Sequence, residues 1–192
     1  MQIVTYPHPT LRHKSKPIRR VDAELKAVVR GMFDLMYEAK GIGLAANQVG
    51  LPLRLFVANL EADPKTSEEL VFINPVLSRP KASEQDDEGC LSFPDLHAPV
   101  TRPKRIHINA YGLDGQEIHA DLDGMLSRVV QHEFDHLDGV LFIDRMSETT
   151  RADVQETLEE LEADFRSRRG SGEIPDDEEI AETIAEWEKR YC

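Results

Sequence analysis

The chain has 192 residues, 40% of them apolar, enough for one domain with an ordinary buried core. No run of 18 apolar residues occurs, so no transmembrane helix is expected, and two cysteines, Cys90 and Cys192, are too few for a disulfide framework. The net charge of −13 argues against binding a bare phosphate backbone, and it is concentrated: residues 147–192 hold 15 acidic and 6 basic side chains, a net −9. That segment reads as a solvated face.

Met1 to Arg20 mixes His, Lys, Pro and Arg without an apolar signal stretch, so a cytoplasmic protein is expected. Asp22 can cap a helix running to about Ala39, with Leu25, Val28, Val29, Met32, Leu35 and Met36 on one face and Gly41 as its stop. A glycine-punctuated, non-helical stretch, Gly41-Ile-Gly-Leu-Ala-Ala-Asn-Gln48, follows. Strands are expected at Leu53–Asn59, Leu70–Leu77, Arg105–Tyr111 and Gln116–Leu122, the last two joined by the hairpin turn Gly112-Leu-Asp-Gly115. A helix runs from about Met125 to Leu137 and stops at Gly139. Ser147 caps a further helix whose stripe is Val154, Leu158, Leu161 and Phe165. Gly170-Ser-Gly172 breaks the chain before a last helix with Ile180, Ile184, Trp187 and Tyr191 on one side. That helix can pack on its own domain, on a partner chain, or be only partly ordered, and its apolar stripe makes docking the expectation. Cys192 is expected to be frayed and solvated. Helices alternating with antiparallel strands indicate an α+β domain over residues 1–169, with an acidic helical extension over 170–192.

The sharpest feature is His132-Glu133-Phe134-Asp135-His136. Positions i and i+4 share a helix face, so both imidazoles can reach one metal ion, with Glu133 beside them to reach a water. The plainer reading is two surface histidines on an amphipathic helix. Metal hydrolases usually use three protein ligands and keep a fourth position open. Cys90 is the best third candidate, since a thiolate binds soft and borderline metals well. The alternative for Cys90 is a buried structural cysteine, and His107 and His119 are rival ligands. Glycines 41, 43 and 89 suit a place where an extended backbone comes close. Val129 lies on the face of His132 and Glu133, where it forms a pocket wall with Ile42 or simply packs in the core.

Gly41–Gln48, Glu88-Gly-Cys-Leu-Ser92 and Gln131–Gly139, taken in order, resemble the three signature motifs of the peptide deformylases. The resemblance covers about residues 1–165. It implies an α+β fold with mixed, mostly antiparallel sheets around a central metal-binding helix. It implies ligation of one divalent ion by Cys90, His132 and His136, usually Fe2+, with Zn2+, Ni2+ or Co2+ able to replace it. Glu133 is then the acid/base, and Gln48 and the Leu91 N–H are oxyanion donors. Residues 42–44 resemble the strand that pairs with the peptide, so Ile42, Gly43, Gly89 and Val129 are expected at the substrate. The implied substrates are N-formyl-methionyl polypeptides, nascent chains near the ribosome, with no nucleic acid or membrane as partner. Arg102 is expected to pair with Glu88 and brace the metal loop. Position 97, an arginine in some members, is His97 here, so no substrate contact is transferred to it. Two rivals stand beside this reading. One is a zinc peptidase, which leaves Cys90 and residues 41–48 unexplained. The other is a non-catalytic interaction protein, against which the intact motifs count.

Overall fold

A computed structural model describes residues 1–65 and 68–192. Helix α1 spans Ala23–Glu38, and Asp22 caps it by accepting from the Leu25 N–H. Strands β1 (Gly43–Ala45), β2 (Leu55–Ala58), β3 (Leu70–Lys81), β6 (Arg105–Tyr111) and β7 (Glu117–Asp123) form one antiparallel sheet in the order β1-β2-β3-β6-β7. Between β3 and β6 run β4 (Glu84–Cys90) and β5 (Phe93–Arg102), which among the described residues pair only with each other. Helix α2 (Gly124–Leu137) follows β7.

Alternation places the two helices on opposite faces of the five-stranded sheet. Leu44, Leu55, Val57 and Ile73 pack with Leu25, Val29, Met32 and Met36 of α1. Their neighbours Ala45, Phe56 and Phe72 pack with Val130 and Leu137 of α2. Covered on both sides, β2 is apolar throughout, Leu-Phe-Val-Ala, and every residue is buried.

Among the described residues the pairings between strands are all antiparallel, with one isolated parallel bridge between Lys16 and Leu53. The sequence expectation omitted β4 and β5. Strand β4 reads Glu-Gln-Asp-Asp-Glu-Gly-Cys, poor strand material that survives because Glu84, Asp86 and Asp87 point to water while Glu88 alone of its charges is buried against its own partners. Strand β5 does alternate, burying Leu96, Ala98, Val100 and Arg102, but Pro94 and Pro99 disguise it; a two-stranded sheet tolerates Pro99 at its edge. Gly139, at φ +71, ends the turn after α2, and a methyl there would lie 2.5 Å from the Arg12 carbonyl.

Ser147 caps α3 (Glu148–Asp153), α4 follows over Gln155–Gly170, and α5 covers Asp177–Tyr191. The last helix docks on its own chain. Tyr191, 1% exposed, joins the core around α1, and its hydroxyl donates to Asp22 and Glu24. Glu188 meets His13 and Lys16. Cys192 is not frayed, contrary to expectation: its N–H donates to the Glu188 carbonyl and its thiol lies 3.5 Å from the Lys16 carbonyl.

Candidate active site

Helix α2 presents His132 and His136 one turn apart, both buried, with ring centroids 5.0 Å apart. Strand β4 delivers Cys90 to them. The β4–β5 register slips between Gly89 and Cys90, so that Cys90 pairs with Phe93 across a tight turn. Cys90 Sγ lies 3.3 Å from His136 Nε2, and the ligand atoms of Cys90, His132 and His136 all fall within 4.8 Å of one another. His107 and His119, the rival ligands, are elsewhere. They lie on the exposed β6–β7 hairpin, His107 against Asp121 and His119 against Asn109 and Glu117.

A buried ionic frame orients the pair. Glu88 Oε2 is 3.1 Å from His132 Nδ1, which leaves Nε2 free to face Cys90. Arg102 grips Glu88 with two bonds of 2.6 and 2.9 Å and reaches Asp135 at 2.7 Å. Burial raises the Glu88 pKa, but the bonds from His132 and Arg102 outweigh it and hold the group at about 2. Burial likewise opposes a charge on His132, yet Cys90 and Glu88 override it and raise its pKa to about 10. Burial, and then the charge on His132, keep His136 well below the ordinary range. One sulfur and two imidazole rings thus converge on a single gap. A thiolate and two neutral imidazoles in that gap are the donor set of a divalent transition ion.

Glu133 stands beside the gap, 4% exposed, with Oε2 lacking any partner among the described residues. Burial pushes its pKa up to about 7 against the nearby charges of His132 and Arg102. Room for it comes from Gly43: a methyl there would lie 2.9 Å from Glu133 Cδ and 3.0 Å from Cγ.

Gln48 Oε1 accepts from the Ala45 N–H at 2.8 Å, which turns Nε2 toward Cys90 Sγ (3.4 Å) and Ser92 Oγ (3.3 Å). Asn47 points the other way and ties down the N-terminal segment through the carbonyls of Thr10 and His13. Leu91 follows Cys90 and lies over Gly41, and the His97 ring lies over Gly89. A cleft of about 660 Å³ opens in front, walled by Ile42, Gly43, Leu91, His97, Val129 and Glu133.

The family model described as polypeptide deformylase matches residues 1–152. The chain belongs to the peptide deformylase family. A peptide deformylase from Rhodopirellula baltica is 49% identical over 191 residues, covering 100% of this chain and 95% of that one. The crystal structure of a plant peptide deformylase 1B superposes with a TM-score of 0.87 at 41% identity, over 92% of this chain and 95% of the other. A peptide deformylase from Plasmodium falciparum gives 0.84 at 43%, over 86% and 98%. Peptide deformylases are metal-dependent hydrolases that remove the N-formyl group from N-formyl polypeptides, and the Cys90–His132–His136 group could hold their divalent ion. No helix among the described residues is long and apolar enough to cross a membrane.

Sequence reasoning missed two partners of this deformylase site. Arg128 donates to Glu88, and Arg145 pairs with Asp135. The one available signal was a charged residue on the buried stripe of α2, four positions before His132.

Proposed function

We propose that Cys90, His132 and His136 hold a ferrous ion and that Glu133, Gln48 and Leu91 carry the deformylation chemistry around it. The convergence of three ligand atoms on one gap, with the partnerless Glu133 Oε2 beside it, supports this reading. When bound, the ion would supply Lewis-acid activation of water. Glu133 takes a proton from that water at Oε2 and later delivers it to the leaving amine. Its raised pKa suits a group that must both accept and give a proton near neutrality. Gln48 Nε2 and the Leu91 N–H donate to the oxyanion that develops on the formyl oxygen; a side-chain amide donates without titrating. Ile42 and Val129 wall the pocket for the methionine side chain, while Gly43 and Gly89 admit the substrate backbone alongside β1 and β4.

The substrates are N-formyl-methionyl chains met in the cytoplasm as they leave the ribosome. Residues 1–169 form the catalytic unit, and 170–192 are an extension that supports it without touching substrate. Formate release from a formyl-Met peptide, with metal content measured on the same sample, tests the assignment. Release from the formylated peptide and none from its acetylated counterpart is the expected result. Cleavage of internal peptide bonds would favour the zinc-peptidase reading, and metal-loaded protein that releases no formate would end the proposal.

A further inference from the structure

Arg128 is a buried cation that the proposed chemistry does not use. It lies one turn before His132 on α2 and is 8% exposed. Its Nη1 donates to Glu88 Oε1 at 2.6 Å and to the Val100 carbonyl at 3.1 Å, and its Nη2 donates to the Glu84 carbonyl at 2.9 Å. One guanidinium thus joins the start of β4, the far half of β5 and the carboxylate that faces His132.

The division of labour at Glu88 is uneven. Oε1 takes both Arg102 Nε and Arg128 Nη1, each at 2.6 Å. Oε2 is left to Arg102 Nη2 at 2.9 Å and His132 Nδ1 at 3.1 Å. The bonds on Oε1 fix the plane of the carboxylate and so fix where Oε2 meets the ring. Asp135 extends the arrangement through Arg102 and Arg145 into an alternating ladder, Arg128–Glu88–Arg102–Asp135–Arg145.

We infer that Arg128 is a positioning residue of the metal site, holding Glu88 and the β4–β5 hairpin so that Cys90 and His132 face one another. The inference rests on Cys90, His132 and His136 being that site. Two ligands come from α2 and one from β4, so their spacing depends on whatever clamps hairpin to helix. Arg128 does so with three bonds to three separate chain positions, 84, 88 and 100. A lysine amine is a point donor without the planar fork, so it cannot reproduce that geometry. Without the fork, the Glu84 and Val100 carbonyls lose a charged donor and Glu88 can rotate away from His132.

Cobalt(II) is the probe. Chelator-treated full-length protein is titrated with Co2+, following the visible absorption of the ion and its dissociation constant by competition. Deformylation is measured at saturating cobalt. For Arg128→Met the dissociation constant should rise about 10- to 100-fold, as for other groups that orient metal ligands. Its cobalt bands should shift, and KM for a formyl-Met peptide should move less than metal affinity does. Arg128→Lys should fall between, because the amine reaches Glu88 but not both carbonyls. A folded Arg128→Met protein with unchanged affinity and spectrum overturns the inference. If that variant does not fold, as judged by circular dichroism, the lysine variant decides: unchanged affinity overturns the inference and weakened affinity supports it. Wild-type protein that takes up no cobalt overturns the metal reading itself, a failure seen before any substitution is made.

Discussion

Replacing Gly43 by alanine separates the reach of Glu133 from the stability of the fold. Gly43 lies in β1, and its backbone is one that alanine adopts, so the whole effect comes from contact. The new methyl would sit 2.9 Å from Glu133 Cδ and 3.0 Å from Cγ, and closer still to Oε1. Ordinary carbon–carbon contact is about 3.5–4.0 Å, so the carboxylate must retreat by roughly 0.6–1 Å. Glu133 is 4% exposed and packed within α2, which leaves no free rotamer to take up that movement cheaply. A displacement of about 1 Å at a reacting group costs on the order of 10²-fold in rate, or about 2.7 kcal/mol of barrier. Overpacking should cost about 1–3 kcal/mol of stability, lowering Tm by roughly 2–12 °C while leaving the protein folded at assay temperature. The assay is steady-state formate release, with metal content and Tm measured on the same samples. Gly170→Ala is the control, because a methyl there meets nothing within 4 Å. A metal-replete Gly43→Ala protein with wild-type kcat/KM would refute the argument that glycine is needed to seat Glu133.

Glu133→Gln should keep its metal and lose at least about 10²-fold in kcat, whereas near-normal turnover would remove Glu133 from proton transfer. Tyr191→Ala should cost about 3–5 kcal/mol in urea unfolding, and a chain ending at Arg169 should be less stable but still release formate; a folded, metal-bound truncation without activity would put the tail in the site. Burial, and then the charge of Arg169, depress His8 from 6.5 to about 4. The unfolded chain therefore binds this proton first, and stability present above pH 6.5 falls by up to about 3 kcal/mol as pH drops to about 4. Urea unfolding at pH 7 and pH 4.5 should show a smaller decline for His8→Gln than for wild type; equal declines would exclude His8 as the source. Iron-loaded enzyme should lose activity in air faster than nickel-loaded enzyme, since both the ferrous ion and its thiolate ligand oxidise; equal half-lives would count against iron-linked inactivation.

Where one physical signal dominated, the sequence was readable. The apolar stripe of α1, the run in β2, the hairpin turn at Gly112–Gly115 and the His132/His136 spacing each follow from a single periodicity or turn preference. Strands β4 and β5 were hidden because pairing and an exposed face, rather than propensity, hold acidic and proline-bearing segments extended. Glycines read as room for substrate make room within the protein: Gly43 for Glu133, Gly41 for Leu91, Gly89 for His97. The docking of α5 followed from its apolar side, but the choice between its own domain and a partner depended on where α1 lay in space. Arg128 was illegible for the same reason, since its three acceptors are separated from it by 28 to 44 positions.

The ladder Arg128–Glu88–Arg102–Asp135–Arg145 also constrains how this chain can drift over generations. Neutralising Glu88 alone would leave Arg128 without a carboxylate partner, and losing Arg102 alone would leave Glu88 to Arg128 and His132 and Asp135 to Arg145. A step that leaves a buried charge unpaired costs up to about 3–5 kcal/mol, a large share of what holds a domain folded. Exchanging every rung for apolar side chains of similar volume costs far less, but it requires several changes at once. These five positions should therefore be inherited together, and lineages that differ at one rung should differ at its neighbours.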